Sequence, residues 1–264
     1  MKGFSFSRKH LAIPYGIFLL LFVVFPLLLV VANAFTSNTG TFTFSNFVWF
    51  FTDNTNLKTL LVSVLVGLFS TLACIIIGYP IAYIISKIKT KMQFTLLLLF
   101  IMPMWINFVL RAMAMKEILY LIGFLGKYDF LNTVIGMTYD YLPFMILPLY
   151  SVLIKIDKSY KEASLDLGAN RVKTFLKITL PLSASGIVSG ITMVFLPSMT
   201  CYVISQMFTN GKVVIIGELI QIYYHAEVVN CGAVIALVML VIMVLTNMLT
   251  DRFAKQENTR GTIL

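Results

Sequence analysis

Charge is scarce in this chain. Of its 264 residues only 12% are Asp, Glu, Lys or Arg, against about 25% in an ordinary soluble domain. A water-soluble body of this length is thereby excluded, because there is too little polar surface to cover it. Histidine is nearly missing, with His10 and His225 alone, and the three cysteines Cys74, Cys201 and Cys231 stand far apart. No spacing among them fits a disulfide framework or a metal site. Nor do two histidines supply the base or ligand cluster that an intramembrane enzyme needs. A phosphate-cradling G-x-x-x-x-G-K-[ST] loop is also lacking, so any ATP hydrolysis has to come from another subunit. No catalytic residue, metal or cofactor is expected.

What abounds is apolar. The chain is 59% hydrophobic, with a mean hydropathy of +0.92, and its apolar runs of about 20 residues suffice to cross a hydrocarbon core about 30 Å thick. The expected fold is all-α and integral to the membrane, with six transmembrane helices near residues 11–34, 57–86, 94–115, 133–154, 184–208 and 232–250. Gly78 and Pro80 offer a bend in the long second run. The first run follows a basic head (Lys2, Arg8, Lys9) but is too long for a signal-peptide core, and is read as a retained span. The head, the 87–93 turn, the 155–183 loop and the tail hold 15 of the 20 basic residues. That side is expected to be cytoplasmic, with both termini inside. The net charge of +9 reflects this placement and does not indicate a nucleic-acid partner. The organisation expected is a cytoplasmic head over 1–10, a permeating domain over 11–250, and a cytoplasmic tail over 251–264.

The longest polar break is residues 158–181, between spans 4 and 5. Ser159 and Glu162 have the spacing of a capping box at a helix start. Gly168 can supply the left-handed residue that ends that helix, and Asn170 is a suitable N-cap for a second one. Val172, Phe175, Leu176 and Thr179 would line one apolar face. By physics alone the loop could lie on anionic headgroups through Lys155, Lys158, Lys161, Arg171, Lys173 and Lys177.

The spacing points further. Glu162-Ala163-Ser164, then Gly168, Ile178 and Leu180-Pro181 resemble the EAA signature of binding-protein-dependent ABC transporter permeases. Ser164 in place of a second alanine is the one departure. The resemblance implies a coupling helix between spans 4 and 5 that seats in an ATPase subunit, with Glu162, Ala163, Ser164, Leu167 and Gly168 near that interface and Ile178, Leu180 and Pro181 completing the motif. Softer motifs are similar to the spermidine/putrescine permeases: Gly78-Tyr79-Pro80, Met102-Pro103 through Leu110-Arg111, Leu142-Pro143-Phe144-Met145, Pro148-Leu149-Tyr150-Ser151 and Leu196-Pro197-Ser198-Met199. The resemblance implies cytoplasmic ATPase subunits, a second permease chain and an extracellular or periplasmic substrate-binding protein as partners, in a bacterial inner membrane. Permeases for thiamine, iron and other small substrates share this design, and that alternative stays open. An autonomous secondary transporter or channel is the less favoured class, because neither inverted repeats nor several intramembrane charges stand out.

A polycation needs acceptors and aromatic faces along its path. Charges inside a bilayer are costly, so each is a candidate. Asp140, between Tyr139 and Tyr141 about six residues into the fourth span, is the sharpest; it is an ion-pair partner of Arg111, an ammonium acceptor, or a residue placed too far inside by the span boundary. Trp105, Tyr79, Tyr83 and Tyr150 are candidate lining residues, each also explicable as packing. Glu218, Gln221 and His225 recur at helical spacing in the outer segment 213–225; they would form a polar stripe at a gate or a solvated face.

Overall fold

The computed structural model describes residues 12–261 except 38, 89 and 227. The expected head, residues 1–10, and Glu227 lie outside the described residues. Those described are overwhelmingly helical, with one isolated antiparallel bridge, Thr36 to Phe42. Helices satisfy their own backbone polar groups, which a bilayer demands.

The chain forms two compact units. The smaller comprises residues up to 57 together with Leu219–Val241. Its first helix, α1 (Ile13–Ala34), carries apolar side chains on all sides, and none of its most apolar window is buried. At 1.5 Å per residue its 22 residues reach about 33 Å, enough to cross a bilayer. Unburied leucine and phenylalanine carry no penalty there, because lipid tails are as apolar as they are. A short helix, α2 (Ser45–Thr52), follows. Trp49 meets Tyr223 edge-to-face at 5.1 Å, and the Tyr223 hydroxyl donates to Asn56 Oδ1 at 3.4 Å.

The larger unit, 58–218 with 242 onward, carries the candidate site. Most of α3 (Asn54–Lys87) lies in it, and this helix runs unbroken through Pro80. Then come α4 (Thr90–Ile101), a tight 3-10 turn over Met102–Trp105, and α5 (Phe108–Leu121). Next are α6 (Asp129–Leu153), α7 (Lys158–Asp166), α8 (Arg171–Leu182), α9 (Ala184–Thr200) and α10 (Tyr202–Thr209). The helices α11 (Ile216–His225) and α12 (Val229–Gly261) are shared between the units.

Two packed clusters organise the larger unit. One joins Cys74, Tyr79 and Ala82 of α3, Met145, Ile146, Leu149 and Leu153 of α6, and Val194 of α9. The other joins Val66 of α3, Ala112 and Leu119 of α5, Met137 of α6, Ile204 and Phe208 of α10, and Ile215. Van der Waals fit, rather than expulsion of water, holds such contacts in lipid.

Three helices are long and apolar enough to cross a membrane as they stand, and three bent pairs reach that test together, giving up to six spans. The expected third span, 94–115, is not straight. The chain turns by 98° between Trp105 and Phe108, where Asn107 caps α5 by accepting from Val109 N at 2.8 Å. The expected fifth span, 184–208, is broken at Cys201, where extended-side ψ interrupts the helix. The last helix does not stop at 250 but continues to Gly261.

Candidate functional site

Two places in the larger unit concentrate function-bearing residues: the polar loop and a cleft at the broken third span.

In the loop, α7 begins two residues earlier than the sequence suggests. Asp157, not Ser159, is the cap; its carboxylate accepts from Ser159 N at 3.0 Å. That donation by the Ser159 N–H holds the Asp157 carboxyl below its ordinary value. Gly168 has φ +80°, the left-handed conformation that ends a helix and that glycine adopts without a Cβ penalty. Asn170 then caps α8 by accepting from Lys173 N at 2.8 Å. The expected apolar face of α8 is divided. Phe175 packs edge-on against Tyr79 at 5.6 Å and Tyr83 at 5.4 Å, and Thr179 is buried, whereas Val172 and Leu176 are exposed. A π-helical turn over Phe175–Thr179 widens the spacing, so a strict i, i+3, i+4 face cannot persist through it.

The EAA-like residues thus fall into two groups. Glu162, Ala163, Leu167 and Gly168 are exposed, Leu167 at 89% of its surface. Ile178, Leu180 and Pro181 are half-buried, with Leu180 against the α3–α6–α9 cluster. Ser164 bridges the halves, its hydroxyl 3.0 Å from that of Thr174. Tyr83 anchors the whole: Lys87 Nζ stands 3.9 Å and Lys161 Nζ 5.3 Å from its ring centre. Burial lowers the Lys161 ammonium from its ordinary value, and Lys87 adds to that while Tyr83 opposes it. Tyr79 and Tyr83 both pack on Phe175 of the loop, and neither is among the lining of the cleft described next.

The cleft has a volume of about 460 Å³. Trp105, Phe108, Arg111, Asp140, Tyr141, Phe144 and Cys201 are among its lining. Asp140 lies about 16 Å along α6 from its start at Asp129. Arg111 Nη2 is 3.1 Å from Asp140 Oδ1, and the two side chains are 8% and 3% exposed. Trp105 stands at 80% exposure. The ion pair, one of the readings of Asp140 from sequence, is present, and Trp105 lines the same cleft. Tyr139 and Tyr150 do not line this cleft, and neither does Glu218. Tyr139 is exposed, Tyr150 is half-buried against the α3–α6–α9 cluster, and Glu218 is buried in α11, so the expected solvated stripe fails at its first member. Phe144 and Cys201 were not anticipated as site residues. Cys201 becomes one only because α9 breaks there.

Chemically, a carboxylate lining an aromatic-walled, largely apolar cleft suits an alkylammonium ion. No cluster of three or more His, Cys, Asp or Glu that could hold a metal occurs among the described residues.

Residues 74–258 match the family described as binding-protein-dependent transport system inner membrane component. The chain is 36% identical over 242 residues to the spermidine/putrescine transport system permease protein PotB of Haemophilus influenzae, covering 82% of each. It is 33% identical over 227 residues to PotB of Escherichia coli K12, covering 78% of this chain and 82% of that one. Its fold is that of a chain in the crystal structure of a bacterial alginate ABC transporter in complex with an alginate pentasaccharide-bound periplasmic protein, with a TM-score of 0.72, 16% identity and 94% coverage of both. Family match and relatives agree with the polar loop's spacing: the chain belongs to the binding-protein-dependent transport inner membrane components and is a permease subunit of an ABC importer.

Proposed function

We propose that this permease carries spermidine and putrescine, and that the Asp140 cleft is part of their path. The observation that carries the reading is Asp140 itself, a buried carboxylate opening onto an aromatic-walled cleft. A protonated amine finds an acceptor there. Trp105, Tyr141 and Phe144 offer ring faces for cation–π contact, worth about 0.5–2 kcal/mol each depending on desolvation. The intervening methylenes meet apolar wall. The names of the relatives support the same cargo.

The chain works as a non-catalytic half of the transport path. Cytoplasmic ATPase subunits dock on the 158–181 loop through Glu162, Ala163, Leu167 and Gly168. A second, homologous permease chain completes the pathway, and an extracellular or periplasmic binding protein delivers substrate. The protein sits in a bacterial inner membrane with both termini on the cytoplasmic side.

Uptake of labelled spermidine by cells carrying Asp140→Asn tests the path. A fall of at least about tenfold is expected, since one lost charged hydrogen bond is worth about 1.5–3 kcal/mol. Unchanged uptake at limiting spermidine, with normal amounts of the variant in the membrane, contradicts it.

A further inference from the structure

We propose that Arg111 is a resident counter-ion which a substrate ammonium displaces from Asp140, so that passage through the cleft is a cation exchange at one carboxylate. This rests on the polyamine reading of the cleft.

The pair is in contact but incomplete. Its one close approach is Nη2 to Oδ1 at 3.1 Å. Neither Asp140 oxygen receives a well-directed hydrogen bond, and Arg111 Nε also has no partner, although all three atoms are buried. A pair built only to fasten two spans would be expected to use the bidentate fork, the geometry in which guanidinium and carboxylate bind best. Buried ion pairs with unsatisfied atoms contribute little net stability.

The position of Arg111 loosens it further. It lies in the first turn of α5, directly after the 98° bend and the Asn107 cap. The positive end of the helix dipole disfavours a cation there. Both members of the pair line the cleft, so a ligand in the cleft lies beside the pair.

An alkylammonium is suited to the exchange. It offers three donors that rotate freely, whereas a guanidinium presents a rigid fork. Its methylenes meet the apolar wall, which a bare alkali cation cannot exploit. Exchange also keeps Asp140 partnered before and after substrate passes. A buried carboxylate left alone costs several kcal/mol, so the return of Arg111 helps drive release.

Equilibrium binding of labelled spermidine to the purified complex of this chain, its partner permease and its ATPase, without binding protein, tests the inference. Arg111→Gln should bind spermidine at least about tenfold more tightly than wild type, and Asp140→Asn at least about tenfold more weakly. Equal or weaker binding by Arg111→Gln overturns the exchange. If Asp140→Asn still binds poorly in that case, the polyamine path stands without it; wild-type binding by Asp140→Asn removes the path itself. Should Arg111→Gln not assemble, Arg111→Lys carries the same test: tighter binding than wild type supports displacement, and equal or weaker binding overturns it. Failure of both variants to assemble also overturns it, because a displaceable ion cannot be an indispensable structural one.

Discussion

The Ser164 hydroxyl lies 3.0 Å from the Thr174 hydroxyl and ties α7 to α8 across the Gly168 turn. Ser164 is the one position at which the loop departs from Glu-Ala-Ala, so the departure has a structural use. A neutral hydrogen bond of this kind contributes about 0.5–1.5 kcal/mol net. A double-mutant cycle with Ser164→Ala and Thr174→Val, read by thermal unfolding in detergent, should give a coupling of about 1 kcal/mol. Strict additivity would mean that the bond contributes nothing.

Asp157 should make the start of α7 sensitive to acid. Donation from the Ser159 N–H favours the carboxylate and lowers its pKa in the folded chain. Its stabilisation is therefore full above the ordinary carboxylate pKa and is lost as pH falls through the lowered value. Limited proteolysis of the 155–160 segment should speed up on acidification in wild type. In Asp157→Ala it should already be fast at neutral pH and should change little with acid.

Much of this was legible in the sequence. Apolar run length locates the three helices long and apolar enough to cross a membrane as they stand, and Gly168 and Asn170 behave as their chemistry dictates, with φ +80° and a cap to Lys173 N. The breaks in the third and fifth spans were not legible, because proline does not reveal them. Pro80, Pro143 and Pro148 sit inside continuous helices, while the sharp turn comes after Pro103, where Asn107 can cap a new helix. Neighbouring helices can satisfy the carbonyls a proline frees, so tertiary context decides which one breaks the chain. The start of α6 was placed late for a related reason. Asp129 and Asn132 look like loop residues, yet they lie in the first turns of α6, and Asn132 is buried. The Arg111–Asp140 pair was legible as one of three options, because two isolated charges in neighbouring helices seek each other.

Gly217 and Gly168 should respond oppositely to substitution. A Cβ on Gly217 would collide with the backbone carbonyl of Thr200, which has no rotamer by which to yield. A Cβ on Gly168 meets nothing within 4 Å, and its cost is only the left-handed backbone, about 1–2 kcal/mol. Gly168→Asn should be milder still, since asparagine tolerates that region. Membrane yield and melting temperature should fall sharply for Gly217→Ala and modestly for Gly168→Ala. The reverse order would contradict the packing of α11 on the end of α9.

Tyr83 should link the loop to α3 through its ring, not its hydroxyl. Lys87 and Lys161 both approach that ring, and Phe175 meets it edge-on. Each exposed cation–π contact is worth about 0.5–1 kcal/mol. Tyr83→Phe should leave substrate-stimulated ATPase activity of the assembled transporter near wild type, and Tyr83→Leu should lower it several-fold. Equal activity in all three would remove Tyr83 from the coupling route.

The central claim is that this permease, driven by a separate ATPase, imports polyamines. The direct measurement is ATP-dependent accumulation of labelled spermidine in proteoliposomes holding this chain, its partner permease, its ATPase and its binding protein, with labelled thiamine as the comparison. Spermidine should accumulate only with ATP and only when this chain is present, and thiamine should not. Thiamine accumulation without spermidine, or spermidine entry independent of ATP, would contradict it.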